Sequence, residues 1–394
     1  MARVLVTDAE TRTCLAATRA LGRAGHAVYV TASRLPALAS VSRLCAGSAQ
    51  VSAPRRAPDA AASELAALVE RWAIDVVLPV TDVSSLLVLR RYGGRVGAAV
   101  VAAPGLAAFE LLSDKAELLH HAARAGLRVP RSVVAHSADD LGRAAEAVGY
   151  PCVLKPHTSI VVADGVAHGF GVRHAARPAD LFPPFPVAAF PVIAQEYVGG
   201  AGEGLFLLVD GEHLLAAFAH RRLREKPPEG GVSTYRESIP LDTDLVAKSA
   251  HLLAEVGWRG AAMVEFRRTP GGEAVLMEIN GRLWGSLQLA VDAGVDFASL
   301  LVALFQGQAL EPVTAYRAGV RTRWEWGDVD HVLARLKRLW LGQSAPPGSP
   351  GLPRLLWEFV AGFARRDERL EVFRWSDVRP FVRETLDWLQ GRGT

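Results

Sequence analysis

Hydrophobic and polar residues alternate along two neighbouring runs of the chain, 262–268 and 274–279. The segment between them contains Pro270 and two glycines, and this combination predicts a β-hairpin. Side chains of a strand point alternately to its two faces, so polar residues of both runs fall on one face. The pattern therefore predicts a hairpin with a polar surface.

The predicted register of this hairpin brings two carboxylates together. With the turn centred between Gly271 and Gly272, Glu265 lies opposite Glu278, and Asn280 shares their face. Like charges facing each other are destabilising unless a cation lies between them. Three such oxygen ligands suit Mg²⁺ or Mn²⁺ held partly by substrate phosphates. The alternative is a solvated strand face on which both glutamates point into water.

Apolar runs alternate with helical spacing over the first hundred residues, in the order expected of a parallel, doubly wound sheet. The predicted strands are 3–7, 26–31, 75–80 and 97–102, and the predicted helices are 12–24 and 60–72. The first strand leads into residues 7–11, which lack the Gly-x-Gly-x-x-Gly pattern. We therefore expect no dinucleotide site there.

Later segments mix helices and antiparallel strands. The predicted helices are 107–126, 138–148, 245–257, 284–308, 328–341, 354–365 and 377–391, and the predicted strands include 192–196, 205–209 and 213–220. The charged, Pro- and Gly-rich stretch 221–231 is predicted to be a loop. Beyond residue 315 the composition changes, since six of the nine tryptophans lie there.

The composition argues against a nucleic-acid-binding, secreted or membrane protein. The 394 residues are half hydrophobic and carry 44 basic against 41 acidic side chains, so no basic surface for nucleic acid is predicted. The three cysteines lack metal-ligand spacing and fit a reducing compartment. The N-terminus is not a signal peptide, and the longest uncharged apolar run, 96–109, is too short to span a membrane. We expect a cytoplasmic protein without a nucleic-acid or membrane partner.

Several motifs, in this order along the chain, resemble the ATP-grasp superfamily. Lys115 in Ser-Asp-Lys and Lys155 in Val-Leu-Lys-Pro resemble the phosphate-binding lysines of its two lobes. The run 195–198 is similar to the strand that links the lobes and holds adenine, which implies cofactor contacts by the residues Gln195, Glu196 and Val198.

The resemblance also implies roles for the residues that follow. Glu203 resembles the acid that binds the ribose hydroxyls, and Glu265, Glu278 and Asn280 match the metal ligands. Arg282 resembles an arginine that stabilises the acylphosphate and the tetrahedral intermediate, so that catalysis would rest on it together with the second lysine. ATP and Mg²⁺ or Mn²⁺ are the implied cofactors.

The resemblance covers roughly residues 1–310 and implies both architecture and activity. The implied fold is α/β and α+β, with a Rossmann-like domain at 1–105, a first lobe at 106–190, a second lobe at 191–314 and a Trp-rich helical region at 315–394. The pieces 220–225, 230–233 and 277–286 look most like stand-alone bacterial carboxylate–amine ligases. Such a ligase makes an acylphosphate, joins it to an amine and releases ADP and phosphate. A carboxylase-like enzyme with another acceptor and a non-catalytic nucleotide-binding protein are the alternatives.

Four features are left open by the sequence. The stretch 157–171 has fewer glycines than the phosphate-covering loop of many family members, so we assign it no phosphate ligand, and its two histidines are structural or near the site. The arginines at 221, 222 and 224 either approach phosphate or substrate, or form a solvated basic loop. The C-terminal helices pack on the core or a partner subunit, with an interfacial membrane role less favoured. Substrates would be a small carboxylic acid and an amine, for example amino acids, and a homodimer is the commonest assembly.

Overall fold

The computed structural model describes residues 1–158, 160–163, 166–182, 185–228, 230–343, 345, 349–362 and 365–392. Within these residues the strands form four sheets, of six, two, four and seven strands. The mixed α/β and α+β fold class predicted above is confirmed.

The N-terminal residues form a six-stranded sheet in the order β3-β2-β1-β4-β6-β5. Its strands are β1 (Arg3–Val6), β2 (Ala27–Ala32), β3 (Cys45–Gln50), β4 (Val76–Leu78), β5 (Arg95–Val96) and β6 (Ala99–Val101), and its helices are α1 (Arg12–Arg23), α2 (Pro58–Arg71) and α3 (Asp82–Tyr92). All neighbours pair in parallel except β5 and β6. Three elements, β3, α3 and the two-residue β5, were missed from the sequence. The first has few of the β-branched and aromatic residues that mark strands.

Two predicted helices, 107–126 and 284–308, are each two helices in the structure, and the second is divided after Gly294. The first forms α4 (Leu106–Ser113) and α5 (Lys115–Arg124). The break falls at Asp114, whose backbone is extended and whose Oδ1 accepts from the N–H groups of Ala116 and Glu117 at 2.9 and 3.3 Å. An aspartate that caps a helix in this way satisfies N–H groups of the first turn. The break therefore places Lys115 at the first position of a new helix.

A four-stranded antiparallel sheet follows, in the order β11-β8-β12-β7. The elements of this region are β7 (Ser132–Ala135), α6 (Ala138–Val148), β8 (Cys152–Pro156), β9 (Val161–Ala163), β10 (Val166–His168), β11 (Arg173–Ala175) and β12 (Val192–Glu196), with short 3-10 turns at Pro178–Leu181 and Val187–Ala189. Strands β9 and β10 form a separate hairpin. Strand β12 pairs with β7 and β8, although the predicted boundary at 190/191 assigned it to the second lobe.

The largest sheet has the order β17-β16-β13-β14-β15-β18-β19. Its central elements are β13 (Ala201–Asp210), β14 (His213–Lys226), β15 (Val232–Ile239), α7 (Thr243–Glu255), β16 (Arg259–Arg268), β17 (Ala274–Asn280), α8 (Leu287–Ala293) and α9 (Phe297–Phe305). The loop predicted at 221–231 was wrong in its first half, because β14 continues through Lys226. Strand β13 likewise begins at Ala201, four residues before the predicted strand at 205–209.

The C-terminal region is helical but also extends the largest sheet. It contains β18 (Arg321–Arg323), α10 (Glu325–Trp340), α11 (Leu352–Gly362), β19 (Glu368–Leu370) and α12 (Arg379–Leu389). Buried ion pairs join this region to α1: Arg19 Nε lies 2.9 Å from Asp377 Oδ2, and Arg12 Nη1 lies 2.6 Å from Glu371 Oε2. The C-terminal residues therefore pack on the N-terminal sheet as well as on the largest one.

No single helix in the described part of the chain is long and apolar enough to cross a membrane. Helices α8 and α9 reach that length only together, and they are bent by 97° relative to each other.

Candidate active site

The hairpin of β16 and β17 has the predicted register at its polar end. Glu265 pairs with Glu278, and Met263 pairs with Asn280. Closer to the turn the register shifts, so that Phe266 pairs with Leu276. Because of this β-bulge, the turn is centred on Gly271 and not between Gly271 and Gly272 as predicted. The two glutamates nevertheless remain opposite each other.

The side chain of Asn280 connects the two glutamates. Its Nδ2 donates to Glu265 Oε1 and to Glu278 Oε1, both at 3.2 Å. The two accepting oxygens are therefore separated by at most twice that distance. All three side chains are only partly accessible and face one cleft.

Each glutamate is neutralised by a different set of cations. Arg222 Nη2 lies 2.5 Å from Glu265 Oε2, and its Nη1 lies 3.2 Å from Glu225. Burial opposes the charge of Arg222, but Glu265 and Glu225 outweigh it and raise the pKa of the guanidinium. Burial raises the pKa of Glu265, and Arg222 opposes that rise. Arg222 was left open by the sequence and belongs to the site.

The charges of the two predicted phosphate lysines act on Glu278, and Lys155 Nζ donates to the neighbouring Met277 carbonyl at 3.4 Å. Burial by itself would raise the pKa of Glu278, but Lys115 and Lys155 outweigh it and lower that pKa. Burial lowers the pKa of Lys155 to about 8, while Glu278 acts in the opposite direction. Burial likewise lowers the pKa of Lys115, again against Glu278. Lys115 begins α5 and Lys155 lies on β8, so two elements bring cations to one carboxylate.

Arg282 lies just beyond β17 and is held from two sides. Its Nη2 donates to Asn280 Oδ1 and to Asp82 Oδ2, both at 3.1 Å. Asp82 is the first residue of α3, after Thr81 caps that helix by accepting from the Ser84 N–H. Because α3 was missed from the sequence, so was this contact, through which the N-terminal domain positions Arg282.

A cleft of about 710 Å³ opens over the hairpin and extends to the end of β12. Gln195 and Val198 line it, as predicted for the run 195–198. Gln195 is fully buried and donates through Nε2 to Ser132 Oγ at 3.0 Å. Its Oε1 has no hydrogen-bond partner among the described residues. A buried amide oxygen without a donor is available to a ligand.

Two predicted contacts are not brought into this cleft. Glu196 points away and pairs with Arg131 at 2.8 Å. Glu203 is buried on the opposite face of β13, where its Oε1 accepts from Arg221 at 3.1 Å and its Oε2 from Arg268 at 2.9 Å. The ribose contact predicted for Glu203 is therefore not supported, because adjacent side chains of a strand point to opposite faces.

The floor of the cleft explains two glycines that the sequence left without a role. A Cβ atom on Gly204 would lie 2.8 Å from His220 Nε2, and one on Gly202 would lie 2.9 Å from Arg222 Cδ. The glycines of β13 thus leave room for the β14 side chains that lie across them. His220 is buried, and burial together with Arg222 and Arg236 lowers the pKa of its imidazole well below the usual value.

His220 and Trp284 are cleft residues that sequence reasoning missed. The ring nitrogens of His220 and Nε1 of Trp284 are buried and have no hydrogen-bond partner among the described residues. Both rings pack on Phe206, with centroids 4.8 and 4.3 Å away. The pieces 220–225 and 277–286 contain these two residues, but only the strand pairing of β14 shows that His220 faces the cleft.

A smaller cavity of about 230 Å³ lies on the other side of the hairpin's end. Asp82, Asp114 and Lys115 line it, and Glu278 and Asn280 line both cavities. His157 borders this region from the side: its Nδ1 lies 2.8 Å from Asp114 Oδ2. Part of the stretch 157–171 pairs as β9 and β10, and its residues 159, 164 and 165 lie outside the described part.

The donor set fits a hard divalent cation only in part. Glu265, Glu278 and Asn280 supply carboxylate and amide oxygens, the ligand types that Mg²⁺ prefers. In the described residues no three His, Cys, Asp or Glu side chains form a complete metal site. An ion at Glu265 and Glu278 would therefore need further oxygens from phosphate or water, as Mg²⁺ usually does.

The part of the chain that contains this site is similar to a known protein family. Residues 195–327 match a family model described as ATP-grasp in the biosynthetic pathway with Ter operon. That segment includes Gln195, the hairpin and Arg282. No curated protein sequence matches the chain.

Several solved structures are similar to the whole arrangement. Biotin carboxylase from Campylobacter jejuni, in complex with βγ-ATP, has a TM-score of 0.64 at 18% identity over 81% of this chain and 74% of that one. N5-carboxyaminoimidazole synthetase from Staphylococcus aureus has a TM-score of 0.61 at 15% identity, over 81% of this chain and 80% of that one. The third is the biotin carboxylase domain dimer of 2-oxoglutarate carboxylase from Hydrogenobacter thermophilus, in complex with MgADP, ADP and bicarbonate. It has a TM-score of 0.63 at 15% sequence identity and covers 81% of this chain and 73% of that one. The family model bears out the ATP-grasp resemblance over residues 195–327, and the solved structures show that the chain has this fold.

Proposed function

We propose that the protein is an ATP-dependent ligase that converts a carboxylic acid to an acylphosphate and joins it to an amine. The observation that carries this proposal is that Lys115 and Lys155, from two different elements, line the two cavities that meet at Glu278 and Asn280, with Arg282 beside them. Two lysines placed around one carboxylate supply positive charge that suits a triphosphate. The solved structures with this fold include nucleotide complexes, which agrees with the assignment.

In this proposal the nucleotide lies along the larger cleft. Gln195 Oε1 accepts from the adenine amino group, and the backbone near Val198 completes the adenine site. Lys155 and Lys115 bind the phosphates. Glu265, Glu278 and Asn280 would hold Mg²⁺, which offsets the charge of the phosphate oxygens when it is bound.

The first chemical step transfers the γ-phosphoryl group. An oxygen of the acid attacks the γ-phosphorus, the bond to the β-phosphate oxygen breaks, and ADP leaves. The amine nitrogen then attacks the acyl carbon, phosphate departs, and the amine proton passes to that phosphate. Arg282 donates to the oxyanion of the tetrahedral intermediate, and Asp82 holds the guanidinium in place.

The test is ADP release by the purified protein with Mg²⁺-ATP and a matrix of carboxylic acids and amines, amino acids included. Release that requires one acid and one amine supports the ligase. Release that requires bicarbonate and no amine would identify a carboxylase instead. AMP and pyrophosphate as products would exclude an acylphosphate route, and no substrate-dependent turnover with any pair would favour a nucleotide-binding protein without activity.

A matched pair of variants tests the role of the hairpin. Glu278→Gln should abolish turnover, because it removes a metal ligand and the negative charge that acts on both lysines. Glu273→Gln lies at the turn of the same hairpin, where the side chain is 54% exposed and pairs only with Arg128 at the surface. It should leave activity unchanged. Full activity of Glu278→Gln would refute the assignment of this carboxylate.

A further inference from the structure

The outer faces of α10 and α11 carry an apolar surface. We call the exposed side chains of these two helices the α10–α11 surface: Leu333, Leu336, Leu339, Trp340, Leu356, Trp357 and Val360. Trp340 is 84% exposed and Trp357 is 71% exposed. On α10 the exposed positions 333, 336 and 340 recur at helical spacing and form one stripe. Large apolar side chains grouped in this way mark an interaction site.

Both helices are fixed to the protein through their other faces. His331 Nδ1 lies 2.6 Å from the carbonyl oxygen of Glu225, and Arg335 Nη2 donates to the Pro350 oxygen at 2.8 Å. The carbonyl of Phe359 accepts from Arg323 Nη1 at 2.7 Å. Since these inner contacts place the helices, the outer apolar stripe is not needed to hold the fold together.

The charge of this region limits what can cover the surface. Residues 331–369 contain seven basic and three acidic side chains, a net charge of +4, whereas the whole chain carries +3. The stretch that contains the two exposed tryptophans therefore has an excess of basic side chains, whereas the acids of α10, Glu325, Asp328 and Asp330, lie in its first two turns, away from Trp340. Lys337 and Arg354 are exposed within the helices, and Arg365, Arg366 and Arg369 are exposed just after α11.

We propose that the α10–α11 surface binds the headgroup region of an anionic phospholipid bilayer. Tryptophan and leucine on one face, with lysine and arginine around them, is the composition of helices that lie in a membrane interface. Anionic lipids attract the basic side chains while the tryptophans enter the boundary between headgroups and acyl chains. A second copy of the chain fits less well, because a two-fold interface would bring this basic region against itself.

This inference uses none of the residues of the proposed ligase site, so either can fail alone. It also departs from the expectation that the protein has no membrane partner. An interfacial role for the C-terminal helices was the less favoured alternative from the sequence, and the exposure of Trp340 and Trp357 on two short helices now supports it.

The experiment is flotation of the full-length protein with two kinds of vesicle. One kind is pure phosphatidylcholine, and the other contains equal parts of phosphatidylcholine and phosphatidylglycerol. The protein should float with the anionic vesicles, more weakly as salt is added, and much less with the neutral ones. Trp340→Ser combined with Trp357→Ser, and separately Lys337→Glu combined with Arg338→Glu, should each weaken binding by about tenfold or more.

Two further variants separate membrane insertion from general surface effects. Trp375→Ser removes a tryptophan that is 88% exposed but lies outside the α10–α11 surface, and it should bind like the wild type. Trp340→Phe combined with Trp357→Phe keeps the apolar face and should retain most of the binding. Circular dichroism and urea unfolding confirm that every variant is folded.

Three results would overturn the proposal. The first is no flotation with anionic vesicles at low salt. The second is binding that the double tryptophan-to-serine variant leaves unchanged. The third is a wild-type dimer in size-exclusion chromatography that this variant converts to monomer, because the surface would then be covered by a second copy.

Discussion

Arg221 and Arg222 are neighbours in the chain, yet they neutralise glutamates on opposite faces of one sheet. Arg222 lies in the cleft with Glu265, and its side chain is 13% exposed. Arg221 pairs with Glu203 on the other face and is 46% exposed. Replacement of Arg222 leaves a buried carboxylate without its cation, whereas Glu203 would keep Arg268.

We expect Arg222→Met to lower the free energy of unfolding by about 3 kcal/mol, the usual cost of breaking a buried ion pair. Arg221→Met should cost less than about 1 kcal/mol, because that guanidinium is solvated. Urea unfolding of the two variants measures the difference. An equal loss of unfolding free energy in the two variants would show that the ion pair of Arg222 and Glu265 contributes no more to stability than the exposed pair of Arg221 and Glu203.

The ammonium group of Lys155 gives nucleotide binding a particular pH dependence. Its pKa is lowered to about 8, chiefly by burial, so the free protein loses this charge as the pH rises through that value. ADP affinity should therefore fall between about pH 7 and pH 9, where an ordinary lysine stays charged. In Lys155→Arg the guanidinium stays protonated, so the decline should be much smaller. Calorimetric titration with ADP at several pH values measures both, and a wild-type affinity that is flat over this range would contradict the prediction.

Elements with a strong local signal were predicted from the sequence, and elements set by tertiary pairing were not. The hairpin was predicted because alternation and a Pro-Gly-Gly turn act over a few residues. Helix α6 and strand β12 have the predicted bounds. Strand β14 was cut short because Arg221–Lys226 is charged, yet pairing with β15 extends it and its cleft face is neutralised by glutamates. The register of β13 decided which face Glu203 takes, and no local pattern contains that information.

The break between α4 and α5 provides an element-scale test. Asp114→Ala removes the cap of α5 and the contact with His157, so it should cost about 1 kcal/mol and displace Lys115. The KM for ATP should rise. Ser137→Ala removes the equivalent cap of α6, where Ser137 Oγ accepts from the Asp140 N–H at 3.2 Å. This control should cost a similar free energy of unfolding with no change in KM. If both variants raised KM equally, capping of α5 would have no specific role in placing Lys115.

At the scale of the whole molecule, the C-terminal region completes the structure on which the site depends. It closes on α1 through Arg19 and Asp377 and contributes two strands to the sheet that carries the hairpin. The sequence predicted its helices but not its strands, because β18 and β19 are three residues each and rich in charge. Ion pairs such as Arg12 with Glu371 join residues far apart in sequence, so spacing could not reveal them.

Helix α12 adds a carboxylate that makes stability depend on pH. Glu384 accepts from Trp324 Nε1 at 2.9 Å, and burial, with a smaller effect of Glu325, raises its pKa to about 8. In the unfolded chain it would titrate near 4.5. The folded protein therefore binds one proton more than the unfolded chain between these values, and stability falls as the pH rises through this window by about 1.4 kcal/mol per unit.

Glu384→Gln keeps the acceptor for Trp324 and removes the titration. The free energy of unfolding of both proteins is measured with urea from about pH 5 to pH 9. The value for the variant should rise relative to that of the wild type up to about pH 8, and the difference should stay constant above that pH. A difference that does not change with pH would mean that Glu384 ionises normally in the folded protein.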